Sequence, residues 1–298
     1  MRPERKIETR SKSVERVIAP PPVHWVGDGF KVHGFFPHGP LTGERMSPFF
    51  LLDYNALTNF PPREDPFGVG PHPHRGFETV TIAYKGKVAH HDSRGGGGVI
   101  GEGDVQWMTA GSGLLHKEYH EQEYNREGGP FQMVQLWVNL PAKDKMTEPK
   151  YQAITNAEMG RVKLSLGGEV EIIAGELDGV KGPATTFSPV HLYNLKMKSG
   201  EKLELEYPNG YTTALLAIEG SASLNGSETL PHNNLALFAR DGETFTVEAL
   251  EDGIFLLMSG EPLNEPIAQY GPFLMNTRAE IAEAIDDFNT GKFGYLAD

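Results

Sequence analysis

Hydrophobic and polar residues alternate along many short stretches of the chain, and Gly, Pro and Asn separate these stretches from one another. FQMVQLWVNL at 131–140 places Met133, Gln135 and Trp137 on one face, because strand side chains alternate between faces. FETVTIAYKG at 77–86 alternates in the same way, and TTALLAIEG and GIFLLMSG have the composition of buried strands. Many short strands bounded by turn residues predict an all-β sandwich or barrel.

One segment near the C-terminus, NTRAEIAEAIDDFNTGKFG at 276–294, has helical rather than strand periodicity. Thr277 and Glu280 fit a capping box at its start, and Gly291 suits the position just after its end. Apolar residues recur with the spacing i, i+4, i+7 at Ile281, Ile285 and Phe288. These features predict one well-capped helix that packs against a barrel.

The length of 298 residues allows one large domain or two domains of ordinary size. Charge rises and two prolines interrupt the β pattern in the segment NLPAKDKMTEPKYQAI. We therefore predict two β domains of comparable size, residues 1–145 and residues 146–298.

The composition excludes several classes of site and partner. The chain has no cysteine, so disulfides, zinc–thiolate sites and cysteine nucleophiles are excluded, and any metal must have nitrogen and oxygen ligands. The net charge of −13 argues against direct nucleic-acid binding. The basic first sixteen residues lead into no apolar signal region, and no run of about 18 apolar residues occurs. We expect a soluble cytoplasmic protein without membrane contact.

Six of the eleven histidines lie close together in the sequence, at His72, His74, His90, His91, His116 and His120. His72 and His74 come just before FETVTIAYKG, and we expect them to begin that strand. Their spacing i, i+2 would place both imidazoles on one face of it. His116 and Glu118 have the same spacing. If the two pairs lie on neighbouring strands, they supply three imidazoles and one carboxylate, a ligand set that suits a first-row transition metal. An ordinary polar face is the alternative.

Two neighbouring features have both a functional and a plainer interpretation. RGGGG at 94–98 leads into a β pattern and not into a helix, so a turn fits it better than a phosphate-binding loop. His90 and His91 point to opposite faces of a strand; one of them could orient a substrate, or both could form a polar strand end.

Arg75, beside the first histidine pair, could form a supporting ion pair with Glu78.

The histidine pairs stand in motifs that resemble those of the cupin barrels. The first motif, G-x5-H-x-H-x3,4-E-x6-G, matches the two histidines, Glu78 and Gly86, with one extra residue before the last glycine. The second motif, G-x5-P-x-G-x2-H, is looser, since Thr109 replaces proline and His116 arrives two residues late. One cupin family, the pirins, has segments similar to HPHRGFETVTIAYKG, GDVQWMTAGSGLLHKE, VQLWVNLP and GPFLMNTRAEIAEAIDDFNTGKFG. This resemblance extends from about residue 20 to the C-terminus.

The resemblance implies an all-β fold of two tandem cupin barrels with a few short helices, one of them near the C-terminus. It also implies one divalent metal ion in the N-terminal barrel, bound by His72 and His74 of HPHRG and by His116 and Glu118 of LLHKE. Glu78 would then support the site or the fold without binding the ion. Iron(II) is the metal expected first, with Mn, Co, Ni, Cu and Zn as alternatives.

The second barrel can be compared with the first by aligning Gly220 with Gly86. His72, His74 and Glu78 then fall opposite three residues that do not repeat the histidine pair, Glu206, Pro208 and Thr212. We therefore predict no metal in the second barrel, as the resemblance also implies.

The resemblance implies quercetin 2,3-dioxygenase activity, in which O2 cleaves a flavonol and carbon monoxide leaves. The substrate would be a small aromatic molecule such as quercetin or another enolic aromatic, and Glu118 could act as the catalytic base. The alternative is a non-enzymatic, metal- or redox-responsive regulator that binds a transcription factor or a metabolic enzyme. The resemblance also suggests a monomer.

Overall fold

The computed structural model describes residues 10–37 and 41–297, which fold mainly into short antiparallel strands. In chain order the elements are β1 (Val14–Ile18), β2 (Val23–Val26), β3 (Phe30–Phe36), α1 (Gly43–Met46), β4 (Phe49–Phe60), β5 (Gly68–His74), β6 (Phe77–Lys85), β7 (Val88–Asp92), β8 (Gly97–Ile100), β9 (Val105–Thr109), β10 (Leu114–His120), α2 (Gln122–Glu127), β11 (Gly129–Asn139), β12 (Lys150–Ile154), β13 (Gly160–Lys163), β14 (Glu169–Ala174), β15 (Glu176–Leu177), β16 (Val180–Lys181), β17 (Val190–Met197), β18 (Lys202–Glu206), β19 (Thr212–Glu219), β20 (Ala222–Leu224), β21 (Glu228–Leu230), β22 (Leu235–Phe238), β23 (Thr244–Ala249), β24 (Gly253–Gly260), β25 (Ala268–Tyr270), β26 (Phe273–Met275) and α3 (Arg278–Asn289). Two short 3-10 helices, Ala142–Asp144 and Asn156–Glu158, flank β12. The predicted all-β class is confirmed.

The chain divides into two compact units, each of which is built from separate segments. The first unit comprises Pro20–Met159, Gly182–Pro189 and the segment from Leu263 to the last described residue. The second unit comprises the described residues up to Ala19, together with Gly160–Lys181 and Val190–Pro262. The domain boundary between residues 145 and 146 stays a prediction.

The first unit is a sandwich of two sheets. Its seven-stranded sheet has the order β12-β9-β6-β11-β4-β3-β2, and its four-stranded sheet has the order β5-β10-β7-β8. Glu118 of β10 accepts hydrogen bonds from Thr81 of β6 and Gln135 of β11, so the inner faces of these sheets oppose each other. Apolar side chains such as Phe131 and Met133 fill one part of the interior, and polar side chains line the part beside Glu118.

The second unit repeats this arrangement with a different interior. A seven-stranded sheet, β1-β22-β19-β24-β17-β14-β13, accompanies a four-stranded sheet, β18-β23-β20-β21. Leu205 of β18 lies opposite Phe245 of β23, and the Phe245 ring packs 4.3 Å from the Phe238 ring, between centroids. These residues belong to one large apolar cluster, so hydrophobic burial stabilises this unit through its centre.

The helix near the C-terminus forms as the sequence predicts. The Glu280 carboxylate accepts a hydrogen bond from the Thr277 backbone N–H at 2.7 Å, and the Thr277 hydroxyl accepts one from the Glu280 backbone N–H at 3.2 Å. Gly291 follows the helix at φ +79°, the left-handed conformation that glycine favours. Ile281 packs in a buried cluster with Phe273 and Phe293. Within the described ranges, the helices are too short or too polar to cross a membrane.

Candidate metal centre

Two adjacent antiparallel strands, β5 and β10, bring the two predicted pairs of ligands together. His72 lies directly opposite His116, and His74 lies opposite Leu114. The sequence predicts that the first pair begins the strand at residue 77, and this is wrong, because the pair ends a separate strand, β5. Gly76, at φ +90°, turns the chain between β5 and β6, a conformation that side chains other than glycine rarely adopt.

The three imidazole rings form a compact triangle. The ring centroids of His72 and His74 are 4.7 Å apart, those of His72 and His116 are 4.6 Å apart, and those of His74 and His116 are 5.0 Å apart. One ring nitrogen from each histidine lies within 4.8 Å of the other two. His74 and His116 are buried, while His72 is half-buried at the edge of the cluster.

Glu118 is the carboxylate beside this triangle. Its Oε2 lies 3.4 Å from Nε2 of His116, and its side chain is almost completely buried. Gln135 donates a hydrogen bond to Oε2 at 2.7 Å, and the Thr81 hydroxyl donates one to Oε1 at 3.1 Å. Both oxygens are therefore oriented by residues of the opposite sheet.

The pKa values of His72, His74 and Glu118 give these three groups the protonation states that a bound cation requires. Burial lowers the pKa of His72 to about 4 and the pKa of His74 well below its usual range. Burial alone would raise the pKa of Glu118, but the nearby His116 and His72 rings and the hydrogen bond from Gln135 lower it to about 2. Metal ions bind neutral imidazoles and ionised carboxylates, so His72, His74 and Glu118 need to lose no proton at neutral pH.

The polar atoms of the cluster also fit a bound ion. Both ring nitrogens of His116 are buried and make no hydrogen bond, and the Nε2 atom has only its 3.4 Å contact with Oε2 of Glu118. A buried polar atom without a partner costs free energy, which a bound cation would recover at one of these nitrogens. Three imidazoles and one carboxylate form a donor set suited to a divalent transition metal. The residues present therefore fit such an ion, and their assignment as ligands stays a prediction.

Glu78 lies on the other side of its sheet. Thr81 faces the histidines, because its hydroxyl contacts Glu118, and residue 78 has the opposite parity on the regular strand β6. The Glu78 carboxylate accepts a hydrogen bond from Thr109 at 2.7 Å. Burial raises the pKa of Glu78 to about 7. This placement agrees with the expectation that Glu78 does not bind the ion.

Two buried basic side chains, Arg75 and Lys145, hold the chain around the histidines in place. Arg75 donates hydrogen bonds to the Ser112 carbonyl at 2.8 Å and to the Asp287 carboxylate of α3 at 2.7 Å. The ion pair predicted between Arg75 and Glu78 is wrong, because Glu78 faces away. Lys145 donates three hydrogen bonds, to the carbonyls of Gly76 and Leu274 and to the side chain of Asn139. The turn that follows His74 is therefore fixed from two directions.

Sequence reasoning missed two polar residues beside the cluster, Tyr151 and Gln135, and left a role for His90 open. His90 of β7 lies opposite Glu118 and is buried, while His91 is exposed on the other face. The Tyr151 hydroxyl hydrogen-bonds Nε2 of His90 at 2.7 Å, and the two rings stack with centroids 4.6 Å apart. The adjacent histidines at 90 and 91 gave a signal for His90. Tyr151 and Gln135 carry no such signal, because strand pairing alone brings them to the site.

Each half of the chain matches a family model. The Pirin model matches residues 29–138, and the model of the Pirin C-terminal cupin domain matches residues 192–294. These matches confirm the prediction of two tandem cupin barrels.

Curated relatives and solved structures agree with these matches. A crystal structure of quercetin 2,3-dioxygenase from Acinetobacter baumannii has 50% sequence identity and a TM-score of 0.92, covering 97% of this chain and 100% of that one. A Pseudomonas aeruginosa protein, provisionally named a quercetin 2,3-dioxygenase, is 50% identical over 271 residues, which is 91% of this chain and 94% of that protein. Pirin-1 of Arabidopsis thaliana is 39% identical over 258 residues, 84% of each chain. The chain belongs to the pirin family.

Proposed function

We propose that this protein is a metal-dependent dioxygenase that cleaves a flavonol or a related enolic aromatic with O2. The observation that carries the proposal is the triangle of His72, His74 and His116, whose ring nitrogens lie within 4.8 Å of one another, with the buried Glu118 carboxylate 3.4 Å from His116. These donors suit one divalent transition metal. The 50% identity to a protein described as quercetin 2,3-dioxygenase supports the substrate class. In this reaction both atoms of O2 enter the product, two carbon–carbon bonds break, and one carbon leaves as carbon monoxide.

The residues of the cluster would have two roles, metal binding and proton transfer. His72, His74 and His116 would hold the ion as neutral ligands, and Glu118 would be the fourth ligand. A bound divalent ion supplies positive charge that stabilises a deprotonated enol oxygen and lowers its pKa. Glu118 would accept the enol proton of the substrate, while Gln135 and Thr81 hold its carboxylate in place.

The surroundings of His74 would keep water out of the reaction. The His74 ring packs 5.1 Å from the Phe77 ring and 5.5 Å from the Trp137 ring, between centroids, and both aromatic side chains are buried. Excluding water strengthens every electrostatic interaction inside the site. These aromatic walls also suit a flat aromatic substrate.

Iron(II) is the metal that we propose first. The ligand set alone does not distinguish iron from its neighbours, since nitrogen and oxygen donors bind nickel and copper more tightly than iron. A structure of the pirin YhhW from Escherichia coli, whose 18% identity and TM-score of 0.63 show a shared fold, was solved in complex with nickel(II). The metal must therefore be exchanged in the test.

The experiment is carbon monoxide release from quercetin under air, with protein loaded in turn with Fe(II), Mn(II), Co(II), Ni(II) and Cu(II). We expect release with at least one metal, and loss of both release and bound metal in His74→Ala. His91→Ala is the matched control, because His91 is exposed on the outer face of β7 and should leave release unchanged. Stoichiometric metal without release from any loaded form would overturn the proposed reaction.

A second variant separates binding from proton transfer. Glu118→Gln keeps the shape of the side chain and one ligand oxygen, but it cannot accept a proton. We expect this variant to retain metal and lose turnover, and full activity would remove the catalytic role of Glu118. Binding of a protein partner, the monomeric state and the cytoplasmic location stay predictions.

A further inference from the structure

Two buried polar side chains near the candidate metal centre lack hydrogen-bond partners. Gln106 of β9 is fully buried, and neither its amide nitrogen nor its amide oxygen has a partner. Thr79 of β6 is also fully buried, and its hydroxyl has no partner. Buried polar groups in folded proteins nearly always have partners, so these two side chains require an explanation.

Both side chains face the interior that contains Glu118. In the seven-stranded sheet, Thr81 lies directly opposite Gln135 on one side and Gln106 on the other. Residues that lie opposite each other on antiparallel strands share a face, and the Thr81 hydroxyl contacts Glu118. Gln106 and Thr81 therefore both face the four-stranded sheet that carries the three histidines. Thr79, two residues from Thr81, faces it too.

Gln135, Thr81 and Gln106 form a row across three neighbouring strands. The spacing of this row indicates how far apart the polar groups of a bound molecule would lie. Side chains directly opposite each other on antiparallel strands have Cβ atoms about 5 Å apart. Gln106 is thus one strand beyond the Thr81 hydroxyl, which is 3.1 Å from Oε1 of Glu118. A molecule that contacts both Glu118 and Gln106 therefore needs two polar groups separated by about the spacing of neighbouring strands, roughly 5 Å.

Gln135 provides an internal comparison for Gln106. The two glutamines occupy one row on either side of Thr81, but the Gln135 amide donates to Glu118 while the Gln106 amide is unsatisfied. An unsatisfied amide gives the folded protein no stability that a leucine of similar size would not give. The amide offers two donors and one acceptor, and the Thr79 hydroxyl offers one more donor and acceptor.

We propose that Gln106 and Thr79 form a specificity subsite that hydrogen-bonds a phenolic hydroxyl of the substrate. This inference rests on the proposed function, because the enol oxygen of the same molecule would occupy the metal centre. A site built to pair with a hydroxyl rejects an analogue that lacks it, since its own polar groups then stay unpaired. The subsite therefore selects hydroxylated aromatics over bare ones.

The test compares two flavonols in metal-loaded protein. Quercetin carries hydroxyl groups on both ring systems, while 3-hydroxyflavone has the same skeleton and enol oxygen without them. Dissociation constants are measured by calorimetry without O2, and kcat/KM is measured by carbon monoxide release in air. Wild-type protein is compared with Gln106→Leu, Thr79→Val and the control Gln269→Leu, whose side chain is exposed on β25.

We expect wild-type protein to bind quercetin at least tenfold more tightly than 3-hydroxyflavone. Gln106→Leu should lose about tenfold in quercetin affinity and nothing for 3-hydroxyflavone, with metal content unchanged, and Thr79→Val should show a smaller loss of the same kind. Equal affinities in wild type and variants for both flavonols, or equal losses for both, would overturn the subsite. Tight quercetin binding without carbon monoxide release would refute the proposed reaction alone, and binding of neither flavonol would refute both.

Discussion

At the scale of single residues, two buried glutamates that lie on strands beside the histidines differ in the face of the sheet to which they point. Glu118 and Glu78 are 2% and 1% exposed, so neither can rely on water. Glu118 faces the histidines, whose proximity lowers its pKa to about 2 against the effect of burial. Glu78 faces the other side, where burial raises its pKa to about 7. One carboxylate is therefore ionised at neutral pH, and the other is close to half-protonated.

Glu78→Gln should stabilise the protein at high pH. The pKa of Glu78 is raised from 4.5 to about 7 by folding, so the folded state binds the proton more tightly and loses stability as pH rises between these values. Above pH 7 this cost reaches about 3 kcal/mol, since each pH unit of difference is worth 1.36 kcal/mol. Glutamine keeps the oxygen that accepts from Thr109 and carries no charge.

Urea denaturation at pH 5 and pH 8 measures this effect in wild type and Glu78→Gln. The free energy of unfolding should fall with pH more steeply in the wild type, and the variant should gain most at pH 8. Parallel pH profiles in the two proteins would show that folding does not raise the pKa of Glu78. Glu148→Gln is a suitable control, because its side chain is exposed.

The sequence predicted those site residues that share one strand and left out those that meet across strands. The spacing of His72 and His74, and of His116 and Glu118, places each pair on one face without knowledge of the fold. Gln135 reaches Glu118 only because its strand, β11, lies in the seven-stranded sheet, which faces the four-stranded sheet that contains β10. Such a contact depends on strand order and register, which periodicity does not encode.

At the scale of secondary-structure elements, the C-terminal helix supports the candidate metal centre as well as the core. α3 was predictable from its capping box and apolar stripe, but its partner was not. Asp287 of this helix pairs with Arg75, the residue after His74, and Phe293 lies under the Arg75 guanidinium at 4.8 Å. Leu115 of β10 packs on the same cluster as Ile281. The helix therefore contacts the residue that follows His74 and shares an apolar cluster with β10, the strand that carries His116 and Glu118.

Asp287→Ala should weaken both the fold and metal binding. Arg75 would stay buried without its carboxylate, and breaking a buried ion pair costs on the order of 3 kcal/mol. Because Arg75 adjoins His74, we also expect metal affinity to fall about tenfold, as it does when residues that orient ligands are removed. Thermal unfolding and metal titration measure the two effects.

Lys292→Ala is the matched control for this variant. Lys292 also pairs with Asp287, but its side chain is 64% exposed, and exposed pairs contribute at most about 1 kcal/mol. Asp287→Ala with the stability and metal affinity of the control would show that Arg75 does not need its buried partner.

At the scale of the whole molecule, the two units have the same arrangement of sheets but different interiors, one partly polar and one apolar. In the first unit, β5 and β10 present His72, His74, His116 and Glu118 to the interior. In the second unit, the paired strands β18 and β23 present Leu205 and Phe245 within an apolar cluster. The sequence alignment of the two halves gave the loss of the histidine pair, and the fold gave the apolar side chains that take its place. A shared fold therefore leaves function to the residues of each site.

Metal binding to the first unit should raise the stability of the protein. A ligand that binds only the folded state adds about 2.7 kcal/mol when its free concentration is 100 times its dissociation constant. The buried, unpartnered nitrogens of His116 give the ion a site that the unfolded chain does not offer. We expect Ni(II) to raise the midpoint of thermal unfolding in wild type and His91→Ala, and to leave that of His116→Ala unchanged.

Each protein is compared with and without metal, because His116→Ala also leaves a cavity that lowers stability by itself. Mg(II) should have no effect on any of them, since it prefers oxygen ligands in octahedral geometry. An equal rise in wild type and His116→Ala would place the bound ion elsewhere in the chain. No rise in the wild type, at Ni(II) concentrations that saturate the protein by calorimetry, would mean that the ion binds the unfolded chain equally well, and the buried cluster would lose its role as a preformed metal site.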